Sequence, residues 1–193
     1  METVTFGSEG RDPQGSTPTR WRERKIRHMM TFDQWFAKYL DQDEHQVEVL
    51  LCDKTAIRFL IAWSIFESKC FRGFAKINEL SDFAKTFSER HDFDFAALQV
   101  PAALFHIRYQ DKQLYKNLMH SQQSKELESV LIKEFCNLNS YEITLMLLIV
   151  IYRFRNNIFH GNKGVKSWLV FGEQINLCIN AMQSFIPTTT DPA

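Results

Sequence analysis

Residues 140–161 read SYEITLMLLIVIYRFRNNIFHG, and their character changes part-way along. The run from Ile143 to Tyr152 is apolar on nearly every helical face, which indicates a helix buried on all sides. Arginine and asparagine side chains follow at once, and Gly161 supplies a helix stop because glycine adopts positive φ readily. The stretch therefore predicts a central core helix, with Ser140 as its N-terminal cap and polar side chains in its last turns.

Helical spacing of apolar side chains continues on both sides of this stretch. The predicted helices cover 31–40, 46–71, 81–90, 93–98, 101–121, 124–137, 141–160 and 166–185. Seven glycines and five prolines are few for a chain of repeated β-turns, and 17 phenylalanines indicate a Phe-rich interior. The fold class that we predict is all-α, a single helical bundle around the long core helix.

The chain divides into three predicted regions. Residues 1–28 form a flexible polar and basic tail, residues 29–186 a helical domain and residues 187–193 a second tail. Each tail has too few apolar side chains to compensate the entropy of ordering it. The stretch 20–28, RWRERKIRH, carries five positive charges and a tryptophan. It is typical either of an arm that contacts RNA or of a solvated leader into the first helix.

Composition limits the class of protein. The 193 residues include 23 Lys+Arg and 23 Asp+Glu, and this neutral balance argues against a general polyanion coat. No signal peptide is visible, and the longest apolar run is about half of what a membrane span needs. Cys52, Cys70, Cys136 and Cys178 form no CxxC pair and are predicted to be buried thiols rather than a zinc or redox site. We therefore expect a cytoplasmic protein with no membrane partner.

The polar end of the core helix carries residues suited to phosphodiester chemistry. At about 100° per residue, Arg153, Asn156 and His160 share one helical face. Histidine exchanges protons near neutral pH, and a neighbouring guanidinium holds and neutralises a phosphate. His160 has no second histidine or carboxylate at i+3 or i+4, so we expect neither a bound metal nor another cofactor.

Residues 155–160, RNNIFH, resemble the R-x4-6-H signature of the HEPN superfamily. The resemblance includes the polar residue directly after the arginine and the glycine that follows the histidine. Arg153 satisfies the looser six-residue spacing, so the sequence offers two candidate arginines. We favour Arg155 because Asn156 follows it. The motif itself covers six residues, and the predicted helix order agrees with the family over about 31–186.

The resemblance implies an all-α HEPN-like bundle in which the motif ends a long core helix, and it implies a homodimer. For catalytic members it implies metal-independent cleavage of single-stranded or loop RNA by attack of the ribose 2′-hydroxyl, in a toxin–antitoxin or phage-defence setting. Carried over to this chain, His160 would be the acid/base, Arg155 the phosphate stabiliser and Asn156 the orienting polar group. The partners implied are RNA, a second copy of the chain and an antitoxin or other regulatory protein.

The same resemblance implies roles for three further residues. Lys163 and Arg153 would contact RNA. The stretch 63–68, WSIFES, is similar to an acidic-aromatic stretch on an earlier helix of the family, so Glu67 would orient one of the arginines by a charge-assisted hydrogen bond. One departure stands out, because Asn162 occupies the place of a tyrosine that a partner transferase modifies in some members.

Other interpretations stay open beside the nuclease. His160 can act only as a cationic cap at a helix C-terminus, with the arginines as surface charges. The superfamily also contains non-catalytic members that bind a nucleotide or a protein partner through the same cleft. A third interpretation is a purely structural helical domain of a larger assembly.

Overall fold

A computed structural model describes residues 30–120, 122–159 and 171–186 of the chain. Every regular element in these ranges is helical, so the all-α prediction is confirmed. Backbone contacts divide the chain into two compact units, Met1–Leu50 and Leu51–Ala193. Both predicted tails, 1–28 and 187–193, lie outside the described residues, and the predicted domain boundaries stay predictions.

The first unit contains helix α1, Phe32–Leu40, and most of helix α2, Glu44–Cys52. Thr31 caps α1: its Oγ1 accepts a hydrogen bond from Gln34 N at 3.2 Å, and the Gln34 side chain accepts one from Thr31 N at 3.2 Å. This reciprocal pair satisfies two N–H groups that the first turn leaves free. Phe36 and Leu40 are buried, whereas the rings of the neighbouring turns are largely exposed.

The helix predicted over 46–71 is two helices, α2 and α3, with α3 spanning Thr55–Cys70. The break lies at Asp53, whose Oδ1 accepts a hydrogen bond from Thr55 N at 2.7 Å. By bonding to this backbone N–H, the aspartate side chain favours a turn over a continued helix. The spacing of apolar residues cannot predict such a local effect. Not every apolar side chain of α3 is buried, because Ile57 and Ile61 are 55% and 56% exposed.

Gly73 lies just after the end of α3 and turns the chain away from the helix. Its φ of +99° lies in the region that favours glycine, and its N–H donates to the Glu67 carbonyl at 2.9 Å. The buried face of α3 is formed by Phe59, Ala62, Trp63 and Phe66.

The rest of the second unit, as far as the structure describes it, consists of helices and two short 3₁₀ turns. In chain order the elements are a 3₁₀ turn Ile77–Glu79, α4 Leu80–Ser88, α5 Ala96–Gln110, α6 Lys112–Met119, α7 Lys125–Leu131, a 3₁₀ turn Phe135–Asn137, α8 Ser140–Phe159 and α9 Gly172–Phe185.

Several predicted boundaries between 93 and 137 are wrong because side-chain caps set them. Asp94 Oδ1 accepts from Ala96 N at 2.9 Å and starts α5 there, so Pro101 lies inside α5 rather than in a first turn. Asp111 Oδ1 accepts from Gln113 N at 2.8 Å and starts a new helix, α6, within the predicted 101–121 helix. Helix α7 is shorter than predicted and ends at Leu131.

Helix α8 is the buried central element that the sequence predicts. Its middle turns are buried from Ile143 to Ile151, and it packs against α4, α5, α6, α7 and α9. Its cap is Asn139 rather than Ser140: Asn139 Oδ1 accepts from Glu142 N at 2.9 Å, and Glu142 Oε2 accepts from Asn139 N at 3.1 Å. Helix α9 packs against α3 and α5. Residues 166–170 of the last predicted helix lie outside the described residues.

Candidate functional site

The last two turns of α8 place their polar side chains on different sides of the helix. Arg153 and Asn157 are buried, with 8% and 5% of their surface exposed, whereas Arg155 and Asn156 are half-buried. Two positions along an α-helix turn the side chain through about 200°. The two candidate arginines therefore belong to two different environments.

Arg155 and Asn156 form one cluster with Trp63 of α3. The Arg155 Nη1 donates to Asn156 Oδ1 at 3.0 Å. The guanidinium carbon of Arg155 lies 5.7 Å from the centroid of the Trp63 ring, within the range of a cation–π interaction. Trp63 is buried and also contacts Tyr152, with ring centroids 6.4 Å apart. The predicted stabiliser and its polar neighbour are thus held together on a rigid aromatic surface.

The sequence did not predict that Trp63 belongs to this cluster. It lies in the acidic-aromatic stretch quoted for Glu67, one helical turn before that residue. The presence of a tryptophan in that stretch was the available signal, since Trp is the best cation–π acceptor, but it does not specify which cation the ring contacts.

Arg153 lies on the other side of α8 and is anchored by a residue that the sequence did not single out. Its Nη1 donates to Gln122 Oε1, and its Nε is buried without a hydrogen-bond partner in the described chain. Burial lowers the pKa of the Arg153 guanidinium, because desolvation penalises its charged form. Arg153 and Asn156, expected on one face from helical spacing, differ in both burial and partners.

Asn157 ties α8 to α6. Its Nδ2 donates to the Leu118 carbonyl at 3.1 Å, and the side chain is buried. A buried amide needs such a partner, since leaving it unpaired costs about 1–3 kcal/mol. Within the polar run RNN, Asn157 therefore has a structural role, because it holds the end of α8 against α6.

Glu67 acts on the turn that follows α3. Its Oε1 accepts a hydrogen bond from Ala75 N at 3.1 Å. No hydrogen bond or salt bridge joins Glu67 to Arg153 or Arg155 in the parts of the chain that the structure describes. The structure thus brings Trp63, but not the Glu67 carboxylate, into contact with the predicted phosphate-binding arginine.

His160 and Lys163, the predicted acid/base and RNA contact, lie outside the described residues, as do Gly161 and Asn162. Among residues 30–120, 122–159 and 171–186, no group of three or more His, Cys, Asp or Glu side chains is arranged to hold a metal ion. Within the same ranges, no helix combines the length and the hydropathy that a bilayer crossing requires.

Comparison with known proteins gives no relative for this chain. No family model, no curated protein and no solved structure matches it.

Proposed function

We propose that the chain is a metal-independent endoribonuclease of the HEPN type that cuts single-stranded or loop RNA. The observation that carries the proposal is the Arg155–Asn156 pair, joined at 3.0 Å and backed by the Trp63 ring at the end of α8. A guanidinium held in this way keeps its position while charge develops on a phosphate, which is how preorganised cations stabilise a transition state.

The proposed reaction is a transesterification within the RNA. The ribose 2′-oxygen attacks the adjacent phosphorus, the bond from phosphorus to the 5′-oxygen breaks, and the products are a 2′,3′-cyclic phosphate and a 5′-hydroxyl. His160 takes the 2′-hydroxyl proton, and the imidazolium that results, or water, supplies a proton to the leaving 5′-oxygen. Arg155 neutralises the phosphate. Asn156, whose Oδ1 accepts from Arg155, also carries an amide Nδ2 that can donate to a phosphate oxygen.

Further roles follow from the same proposal. Lys163 contacts the RNA backbone, and a homodimer brings two motifs together, with an antitoxin or other regulatory protein as a further partner. Arg153 is less suited to contact a polynucleotide, because it is 8% exposed and engaged with Gln122.

The test is cleavage of a mixed RNA pool in EDTA by wild-type protein, His160→Ala and Arg155→Ala, with chemical analysis of the cut ends. We expect EDTA-resistant cleavage to cyclic phosphate ends. The rate should fall by about 10²–10⁴ without His160 and by about 10²–10³ without Arg155. The matched control is Arg58→Ala, which removes an exposed arginine of α3 and should leave the rate unchanged. Intact RNA with wild-type protein, or full activity in His160→Ala, would overturn the proposal.

A second candidate, a non-catalytic module that docks a second copy of the chain, is favoured by the outer face of α3. Ile57, Ile61 and Ile65 follow one another at four-residue spacing and are 55%, 56% and 44% exposed. Aligned apolar side chains on a helix surface are typical of a protein interface. The test is light-scattering mass measurement of wild type and Ile61→Glu. The nuclease proposal also expects a dimer, so the module is supported only when a dimer that becomes a monomer in the variant is combined with intact RNA in the EDTA assay. A wild-type monomer argues against it.

A further inference from the structure

Arg153 is a charged side chain without a counter-ion among the residues that the structure describes. It is 8% exposed, and its one hydrogen bond within the described chain goes to the neutral Oε1 of Gln122. Its Nε is buried with no acceptor, and none of the described carboxylates forms an ion pair with it. Burying a charge without a counter-ion destabilises a fold, so such a residue indicates a binding role.

A pocket of about 280 Å³ lies against Arg153. Its polar lining comes from two segments, one around the first turn of α4 and one that leads into α7. The side chains that matter for recognition are those of Asn78, Ser81, Gln123, Ser124, Glu126 and Arg153. The pocket therefore combines one buried cation with neutral groups that donate and accept hydrogen bonds, and with one carboxylate.

We propose that this pocket binds a small phosphate ester that also carries hydroxyl groups, with Arg153 as the partner of the phosphate. A phosphate would supply the missing counter-charge. Its oxygens would also accept hydrogen bonds from the guanidinium N–H groups that do not bond to Gln122. The planar guanidinium can donate two parallel hydrogen bonds to two oxygens of one phosphate.

The carboxylate of Glu126 is the reason why we expect the ligand to carry hydroxyl groups. Its Oε2 accepts from Ser124 Oγ at 2.9 Å. Hydrogen bonds from its own backbone N–H and from Ser124 lower the pKa of the Glu126 carboxyl. An ionised carboxylate only accepts hydrogen bonds, so it repels a bare phosphate and favours a ligand that presents hydroxyl donors beside the phosphate.

This site is separate from the proposed RNA-cleaving cluster. Arg155 faces Trp63 on α3, whereas Arg153 faces the α4 and α7 side of α8, about 200° away around the helix. The proposal does not depend on nuclease activity, and the binding experiment below contains no cleavage step.

The test uses ribose 5-phosphate as the probe, in calorimetric titrations of the full chain. Ribose and inorganic phosphate are the comparison ligands. We expect saturable binding of ribose 5-phosphate and weaker binding of both comparison ligands. Arg153→Met should weaken binding by about 10- to 100-fold, the contribution of a charge-assisted hydrogen bond. Glu126→Gln should weaken the preference for ribose 5-phosphate over inorganic phosphate, and exposed Glu89→Gln is the matched control.

The stability of Arg153→Met separates a ligand-binding arginine from a structural one. Replacement of an uncompensated buried charge by an apolar side chain of similar length should raise the midpoint of urea unfolding without ligand. A lowered midpoint would show that Arg153 serves the fold and would overturn the proposal. So would equal binding of ribose 5-phosphate by Arg153→Met and wild type, absence of saturable binding, or equal affinity for inorganic phosphate. Displacement of the probe by a short RNA would overturn the assignment of a separate site.

Discussion

The four cysteine side chains differ in burial, although they are the same residue type in one small protein. Cys52 and Cys136 are exposed, Cys178 is fully buried, and Cys70 is partly buried, with its Sγ donating to the Phe185 carbonyl at 3.7 Å. The prediction of buried thiols is therefore right for Cys178 and wrong for Cys52 and Cys136. Spacing along the sequence excludes a CxxC pair but says nothing about which side of a helix or turn a lone cysteine faces.

Thiol reactivity should follow this division. Burial raises the pKa of the Cys70 thiol to about 12 and raises that of Cys178 well above its ordinary value, so neither forms a thiolate near pH 8. With Ellman's reagent at pH 8, we expect two thiols to react rapidly in native protein and the other two to react only after unfolding. In a Cys52→Ser/Cys136→Ser variant the rapid phase should disappear. A rapid phase of three or four thiols in the native protein would contradict this burial pattern.

At the residue scale, the candidate site shows which side-chain contacts can be predicted from the sequence and which cannot. Arg155 and Asn156 are neighbours in the chain, so their hydrogen bond needs only a helical backbone. The contact with Trp63 joins α3 to α8 across 92 residues, and nothing in the local pattern specifies it. Glu67 shows the reverse case, because its carboxylate, which was expected to reach an arginine, accepts a hydrogen bond from a local donor, the Ala75 N–H.

At the scale of helices, apolar periodicity identified the helical segments better than their boundaries. It predicted α1, α4 and the core helix α8 closely. It merged α2 with α3, and α5 with α6, because the breaks depend on single aspartates, Asp53 and Asp111, whose carboxylates bond to N–H groups two residues on. Periodicity averages over several turns, whereas such a cap acts at one position.

The start of α8 gives a pH-dependent prediction. The Glu142 carboxylate accepts hydrogen bonds from Lys133 Nζ and from Asn139 N, and the Lys133 hydrogen bond is the largest cause that lowers the Glu142 pKa below its ordinary value of 4.5. A carboxyl whose pKa is lowered by folding stabilises the fold above its unfolded pKa, and this contribution disappears as the pH falls through the folded pKa. Glu142→Gln should therefore reduce the free energy of unfolding by about 1 kcal/mol at pH 7.

Urea unfolding of wild type and Glu142→Gln at several pH values measures this difference. It should be constant from pH 7 down to about pH 5 and should shrink below pH 4.5 as Glu142 becomes protonated. Glu89→Gln, at an exposed position, should differ little from wild type throughout. A Glu142→Gln difference that stays unchanged at low pH would show that the carboxylate charge is not what stabilises the start of the helix.

The phenylalanine content of the chain, 17 residues in all, correctly indicated an interior rich in aromatic rings, which the second unit contains. Rings from α3, α4 and α9 meet in one cluster. The ring centroid of Phe185 lies 5.0–6.2 Å from those of Phe66, Phe83 and Phe87. Composition predicts that such a core exists. It does not predict that the last helix completes it, because that depends on long-range packing of α9 against α3 and α5.

Phe185 should therefore be among the most sensitive positions of the chain. It is 1% exposed, and its ring packs against Phe87 at 5.0 Å with an edge-to-face geometry. Phe185→Ala removes a buried ring that its neighbours cannot replace, and we expect the free energy of unfolding to fall by about 3–5 kcal/mol in urea titrations. Phe74→Ala, at a site that is 61% exposed, is the matched control and should change it by less than about 0.5 kcal/mol. Equal losses in the two variants would mean that α9 does not close the aromatic core, because only a packed ring leaves a cavity when it is removed.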